Sequence, residues 1–141
     1  MQRHYRPDKN GGIKLTYKFE INKRLVGLNE YTNANRYNRY AGAKKKKEEQ
    51  EYIKYCILNQ LGNIKIDKPV VGEFTWIEEN KRRDLDNICF AKKFILDSLV
   101  ELGILKDDNR KMVCGFVDKF EYADKSKVIV KLEEITNGEN K

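Results

Sequence analysis

The apolar positions of this chain follow two different periods. Over residues 13–21, Ile13, Leu15, Tyr17, Phe19 and Ile21 alternate with Lys14, Thr16, Lys18 and Glu20. A period of two predicts a half-buried strand. Residues 28–42 are rich in Asn, Tyr, Arg and Gly and carry no clean period, which predicts a loop with local turns. From about Gly42 the spacing becomes helical, with an apolar face of Tyr52, Ile53, Cys56, Ile57 and Leu61 and Gly62 as its terminator. Residues 69–77 predict a second strand around Val71, Phe74 and Trp76. An extended segment with an acidic tip follows at residues 82–87. A second helix is expected over residues 87–102, where Ile88, Ala91, Ile95, Leu99 and Leu102 step by three and four. Gly103 would end it, with Ile104 as the hydrophobic contact beyond the cap. Residues 112–122 and 127–135 predict two further strands around a turn at Asp124-Lys125-Ser126. The last strand alternates Val128, Val130 and Leu132 with Lys127, Ile129 and Lys131.

This order predicts one mixed α/β (α+β) domain over residues 13–135, a small mixed sheet with two main helices. Residues 1–12, with the turn or hinge signal Asn10-Gly11-Gly12, read as a flexible N-terminus, and residues 136–141 as a flexible tail. A length of 141 residues suits a single domain, and 40% hydrophobic content alongside 36% charged is a folded rather than a disordered profile. No apolar run approaches the ~18 residues that a membrane-spanning helix needs. The polar, basic start, Met1 to Asn10, has no apolar stretch behind it, so no secretory signal is expected. Cys56, Cys89 and Cys114 are odd in number, far apart and without a C-x-x-C pair. They predict reduced, mostly buried thiols in a cytoplasm rather than disulfides or a zinc site.

Charge divides the chain unevenly. The net charge is +7, but residues 1–47 hold 13 Lys/Arg against 3 Asp/Glu, while residues 48–141 hold 16 against 19. A basic first third on an otherwise acidic chain points to an anionic partner, of which nucleic acid is the commonest. Lys44, Lys45, Lys46 and Lys47 precede the glutamates of the first helix. Cations in a first turn oppose the helix dipole, and lysine before glutamate is the weaker order for i,i+4 pairs. The run therefore reads either as phosphate contacts or as a solvated face. Upstream, Arg36, Tyr37, Arg39 and Tyr40 interleave cations with aromatics. Such residues can hold phosphate and stack on unpaired bases, or the tyrosines can pack on the core.

The most informative stretch is Arg82-Arg83-Asp84-Leu85-Asp86-Asn87. In an extended chain Asp84 and Asp86 point to one side, roughly 6–7 Å apart at Cα, close enough to share a hard divalent cation such as Mg²⁺. Asn87 can add a carbonyl oxygen or cap the following helix. Asp107 and Asp108 follow that helix. If their loop returns to the first pair, three or four carboxylates share one site, and their repulsion calls for a cation. Along one continuous helix, Lys93 lies near the face of Asp86, with Phe90 and Asp97, while Lys92 turns away. Lys93 is then the better placed to meet a phosphate and can pair with Asp97. Against this, D-x-D pairs are commonly turns or caps, and an Asp-Asp pair is often only a loop. The residues alone reach a possible metal-dependent phosphoryl-transfer site on a basic protein.

Residues 82–110, R-R-D-L-D-N followed by a lysine-bearing helix and D-S-L-V-E-L-G-I-L-K-D-D, resemble the core of the RusA family of phage and bacterial Holliday-junction resolvases. Leu28-Asn29-Glu30-Tyr31 is similar to that family's N-terminal loop. The resemblance implies a homodimer with a positively charged DNA face and two Mg²⁺-dependent sites, Mn²⁺ being a possible substitute. The sites would nick symmetric strands of a four-way junction in recombination and repair. It places the catalytic and metal-holding acids at Asp84, Asp86 and Asp108, and the catalytic lysine at Lys93. Arg82, Arg83, Arg36, Arg39, Asn29 and the lysine run are the expected DNA contacts. The Asn87–Lys93 segment is about three residues longer than in the best-known members, roughly one extra helical turn. The only histidine is His4 and the only serines are Ser98 and Ser126, which disfavours a Ser-His-Asp hydrolase. Two other readings stand beside the nuclease: a branched-DNA or RNA binder without chemistry, and a structural dimer without salt-sensitive DNA affinity.

Overall fold

Alternation in the first long strand is borne out in burial. In a computed structural model, which describes residues 3–7 and 13–135, Tyr17, Phe19 and Ile21 are buried on one face of β2 (Ile13–Ile21). β5 (Lys127–Glu134) lies antiparallel beside it, setting Val130 against Phe19 and Val128 against Ile21. β3 (Val70–Glu78) continues the apolar face, with Phe74 opposite Val130 and Trp76 opposite Val128. β4 (Val113–Tyr122) runs parallel to β3 at one edge. At the other edge β1 (Arg3–Pro7) pairs antiparallel with β2. The sheet order is therefore β1-β2-β5-β3-β4. Residues 3–7, expected to be loosely attached, are instead a strand in register with residues 13–17. The expected turn at Asn10-Gly11-Gly12 and the tail at 136–141 lie outside the described residues.

The helices cover the apolar face of the sheet. α1 (Leu28–Tyr37) and α2 (Arg39–Leu61) replace the loop expected over residues 28–42. The absence of an apolar period there has a physical cause: α1 buries no residue fully. Its half-buried Tyr31 packs on Phe90 and Phe94, with ring centroids 5.4 Å apart in each case. Asn38 separates the two helices and caps α2, its side chain accepting the Ala41 N–H at 2.8 Å. α2 lays Ile53, Ile57 and Leu61 against the sheet. It ends at Gly62, whose positive φ of 71° fits the expected terminator.

The single helix expected over 87–102 is two helices, α3 (Leu85–Cys89) and α4 (Lys92–Glu101). They break at Phe90 and Ala91, where Phe94 N–H donates to the Ala91 carbonyl at 3.0 Å in a tight turn. Ala91 is fully buried and Phe90 turns its ring to Tyr31 and Phe94, so packing rather than helix period decides the local path. α4 packs on α2, with Ile95 and Leu99 inside the core. The far face of the sheet is polar and laced with ion pairs, among them Lys119–Glu73 at 2.7 Å and Lys127–Glu20 at 2.8 Å.

Gly103 closes α4 at φ 75°, and Ile104 N–H donates back to the Leu99 carbonyl at 3.0 Å. The turn aims the chain toward Asp107 and Asp108. A side chain in this left-handed region costs about 1–2 kcal/mol. Gly103→Ala is expected to lower the unfolding free energy by about that much, read as a lower urea midpoint at unchanged slope.

Candidate functional site

Arg83 organises the region. Its guanidinium donates to both carboxylate oxygens of Glu78, Nε to Oε1 at 2.9 Å and Nη2 to Oε2 at 2.8 Å. It also donates from Nη1 to the Leu25 carbonyl at 3.1 Å. Both side chains are only 10% exposed. A bidentate pair out of water is a strong, directional contact, but only while both partners are present. Arg83 was expected to hold a DNA backbone; its donors are instead turned inward, fastening the end of β3 to the segment before α1. Arg82, beside it, is exposed.

The segment before α1 sits directly on this pair. Gly27 approaches so closely that an added Cβ would stand 2.6 Å from Asn87 Oδ1 and 2.8 Å from Arg83 Nη1. Two residues on, the Asn29 backbone N–H donates to Asn87 Oδ1 at 2.9 Å. Asn29 is thereby tied by its main chain to the aspartate segment, 58 residues away in sequence.

Asp84 and Asp86 are not the two same-side residues of a strand. Asp84 is the N-cap of α3, with φ −69° and ψ 156° and no side-chain capping bond, and Asp86 is already in the first helical turn. The helix begins because Ile88 N–H finds the Asp84 carbonyl at 3.1 Å and Ile88 is buried, whereas Leu85 is 51% exposed and anchors no strand face. Both carboxylates are exposed, and Asp86 Oδ1 accepts its neighbour's N–H, that of Asn87, at 3.0 Å.

The loop after Gly103 does return along α4, and it returns to Lys93. Lys93 Nζ lies 2.8 Å from Asp108 Oδ2 and 2.9 Å from Asp97 Oδ1. The hydrogen bond from Lys93 holds the Asp108 carboxyl below the usual aspartate range. The bonds to Asp108 first and Asp97 second push the lysine well above its own. The pairing of Lys93 with Asp97 follows the expected helical spacing. α3 ends before Phe90 and α4 begins after Ala91, so Asp86 and Lys93 do not share one continuous helix. Lys92 turns away, as expected: its Nζ is 2.6 Å from Asp118 Oδ2 and lies over the Phe116 ring at 4.3 Å. Asp118 also accepts the Trp76 indole N–H at 2.9 Å. It lies in β4 without any local motif, and no sequence signal marks it.

Among the described residues, no three His, Cys, Asp or Glu side chains form a group able to hold a metal ion. Carboxylates gathered without a cation repel one another, and at Asp108 that cation is Lys93.

The basic residues divide into paired and outward-facing. α2 begins at Arg39, so the lysine run lies beyond its first turn and does not oppose the dipole strongly. Lys46 reaches Asp97 at 3.6 Å, and Lys44 stands 3.9 Å from Glu48. Arg36, Tyr37, Arg39 and Tyr40 are all exposed, so these two tyrosines do not pack on the core.

No family model and no curated protein matches this chain.

Two outcomes test this geometry. Arg83→Met leaves the Glu78 carboxylate buried without its partner and is expected to cost roughly 3–5 kcal/mol of unfolding free energy, with Arg83→Met/Glu78→Leu recovering much of it. For Asp108, a folded pKa below the unfolded one adds stability that is complete above about pH 4 and lost as pH falls through the lowered value. Carboxyl NMR should show Asp108 titrating below an ordinary aspartate, and Lys93→Met should move that midpoint upward. An unchanged midpoint would show that Lys93 does not set it.

Proposed function

We propose that this chain is a Mg²⁺-dependent, structure-specific endonuclease of the RusA type, cutting branched DNA as a homodimer in a bacterial cytoplasm. The observation that carries the reading is the contact between Lys93 and Asp108, 2.8 Å apart across the α4 helix and its returning loop. The sequence resemblance assigned both residues to one site, and spacing alone could not bring them together. The Asn29–Asn87 bond adds support, since it joins the two other stretches that carry the resemblance. On this reading the extra residues before Lys93 would fall at the break at Phe90 and Ala91, and Lys93 still reaches Asp108.

The donor chemistry suits a hard divalent ion. Mg²⁺ is commonly held by one or two carboxylates, with waters and substrate phosphate completing its shell. Asp84 and Asp86 are exposed oxygen donors of that kind, and Asp84 makes no capping bond that would occupy it. When bound, Mg²⁺ (or Mn²⁺) would supply a polarised water and offset the charge of the scissile phosphate. Cleavage would leave a 5′-phosphate and a 3′-hydroxyl.

The protein's own part is electrostatic. Lys93 is held protonated by Asp108 and Asp97, so it serves as a fixed cation for phosphate oxygens and not as a proton acceptor. Asp108 positions that cation. Arg82, exposed next to Asp84, is placed to steady the backbone. Arg83 contributes by fixing the loop that carries the aspartates.

A branched-DNA binder without chemistry is the second reading. The same Lys93–Asp108 pair favours it in one respect, because a mutually satisfied ion pair needs no ligand.

Asp86→Asn separates the two readings. With a synthetic four-way junction and Mg²⁺, the parent protein is expected to make paired nicks that a chelator abolishes, and linear duplex should stay intact. The variant should cut on the order of 10²-fold more slowly, or less, while binding the junction at least as tightly. Tight junction binding by the parent without nicks, across several metals and junction sequences, would establish the binder instead.

A further inference from the structure

Tyr37 and Tyr40 are 84% and 78% exposed, the most exposed large hydrophobic side chains among the described residues. Tyrosine more often buries its ring and leaves only its hydroxyl wet. These two flank the elbow at Asn38, where α1 gives way to α2. The elbow is fixed from three sides. The Asn38 side chain accepts the Ala41 N–H at 2.8 Å, and its own N–H donates to the Ala34 carbonyl at 3.2 Å. Gly42, one turn into α2, is pressed against the Asn35 carboxamide so closely that a Cβ would collide with it. The rings are thus held outward by a structured turn rather than carried on a slack loop.

Charge distinguishes the same place. Between Glu30 and Glu48 the chain carries Arg36, Arg39 and the run Lys44–Lys47, with no acidic residue. Tyrosine and arginine also serve at protein hot spots, but those sit in well-packed, desolvated pockets, whereas these two rings are largely exposed in a stretch of cations without an acid. They suit a strand of negative backbone whose bases are free to stack.

We propose that the α1–α2 elbow is a stacking platform for unpaired DNA bases, with Tyr37 and Tyr40 as the base-facing rings and Arg36 and Arg39 on the flanking phosphates. The choice of DNA rests on the endonuclease reading above; the stacking surface rests on exposure and charge. Every base offers a π-face, so such a platform is indifferent to sequence but favours strands whose bases are not already stacked in a duplex. Bases loosened at a branch point meet that requirement. The elbow would therefore select structure, while the aspartate segment carries the chemistry.

Binding without cleavage tests it, in chelator, by fluorescence anisotropy on labelled oligothymidylate and on linear duplex. Three proteins are compared: the parent, Tyr37→Ala/Tyr40→Ala and Tyr37→Phe/Tyr40→Phe. The alanine pair is expected to bind oligothymidylate roughly tenfold or more weakly, and the phenylalanine pair to stay near the parent. Duplex affinity, set by phosphate contacts, should change little in either. Thermal melts confirm that both pairs remain folded. Parental affinity in the alanine pair overturns the proposal, as does a phenylalanine pair as weak as the alanine pair, or an equal loss on duplex. Tighter binding of oligouridylate than of oligothymidylate would overturn the assignment to DNA. Because the chelator stops any cutting, a failure of the junction-nicking experiment leaves this result readable on its own.

Discussion

The buried pair of Arg83 and Glu78 is the constraint on which the geometry of the site depends. Glu78 is the last residue of β3 and is 7% exposed, a position in which a lone carboxylate would be costly. Arg83 compensates it through two hydrogen bonds and has one further donor for the Leu25 carbonyl. Three segments are joined there: the strand end, the turn into the aspartates and the approach to α1. Asp84 follows Arg83 directly, so the pair fixes where the first carboxylate emerges. Gly27 then brings α1 close enough for Asn29 to bond Asn87, and any side chain there would have to displace the Asn87 carboxamide or the Arg83 guanidinium.

Burial explains which parts of this arrangement are legible in the sequence. Over most of β2, β3 and β5 one face is buried and the other half-buried, and the alternation of their side chains states this, though Thr16 and the end of β3, where Trp76, Ile77 and Glu78 are all buried, depart from it. α2 is legible from Ile53 onward for the same reason, and its terminator at Gly62 is a local signal. α1 is not, because it buries no residue fully and is held by Tyr31 against aromatic rings of a distant segment and by its tie to Asn87. The break between α3 and α4 is likewise invisible to a periodicity argument. Ala91 and Phe90 satisfy the helical spacing, yet the core takes Ala91 while Phe90 is drawn to Tyr31.

The candidate site divides along the same line. Residue types identify the carboxylates and the lysine, and helix geometry separates Lys93 from Lys92. Adjacent in sequence, the two lysines reach different aspartates, Asp108 in a loop and Asp118 in a strand. Asp118 is the less legible of these because its partners, Trp76 and Lys92, come from two other elements and no spacing rule relates them. Arg83 is a parallel case. Beside Arg82 it reads as one more surface cation, and only the burial of Glu78 reveals that its donors face inward.

Cations in this protein therefore serve two different electrostatic ends. Those of the elbow lie in a stretch without acids, where their field reaches outward and attracts any polyanion within about a Debye length, ~8 Å at physiological salt. Lys93 is instead held between Asp97 and Asp108, and its charge is cancelled at a distance. An anion gains from that lysine only by arriving close enough to compete with Asp108 for its hydrogen bonds. Attraction at the elbow and selectivity at Lys93 are consequently separable. On the proposed reading, electrostatic affinity would come from residues that do not touch the aspartate segment, while the paired lysine would answer only to a phosphate delivered into hydrogen-bonding range. On the nuclease reading, this division keeps a strongly attractive surface from placing duplex DNA indiscriminately against the carboxylates. On the same reading, negative charge at Asp84 and Asp86 would repel phosphate until a divalent cation reversed it, so attraction at that end would depend on metal, and attraction at the other would not.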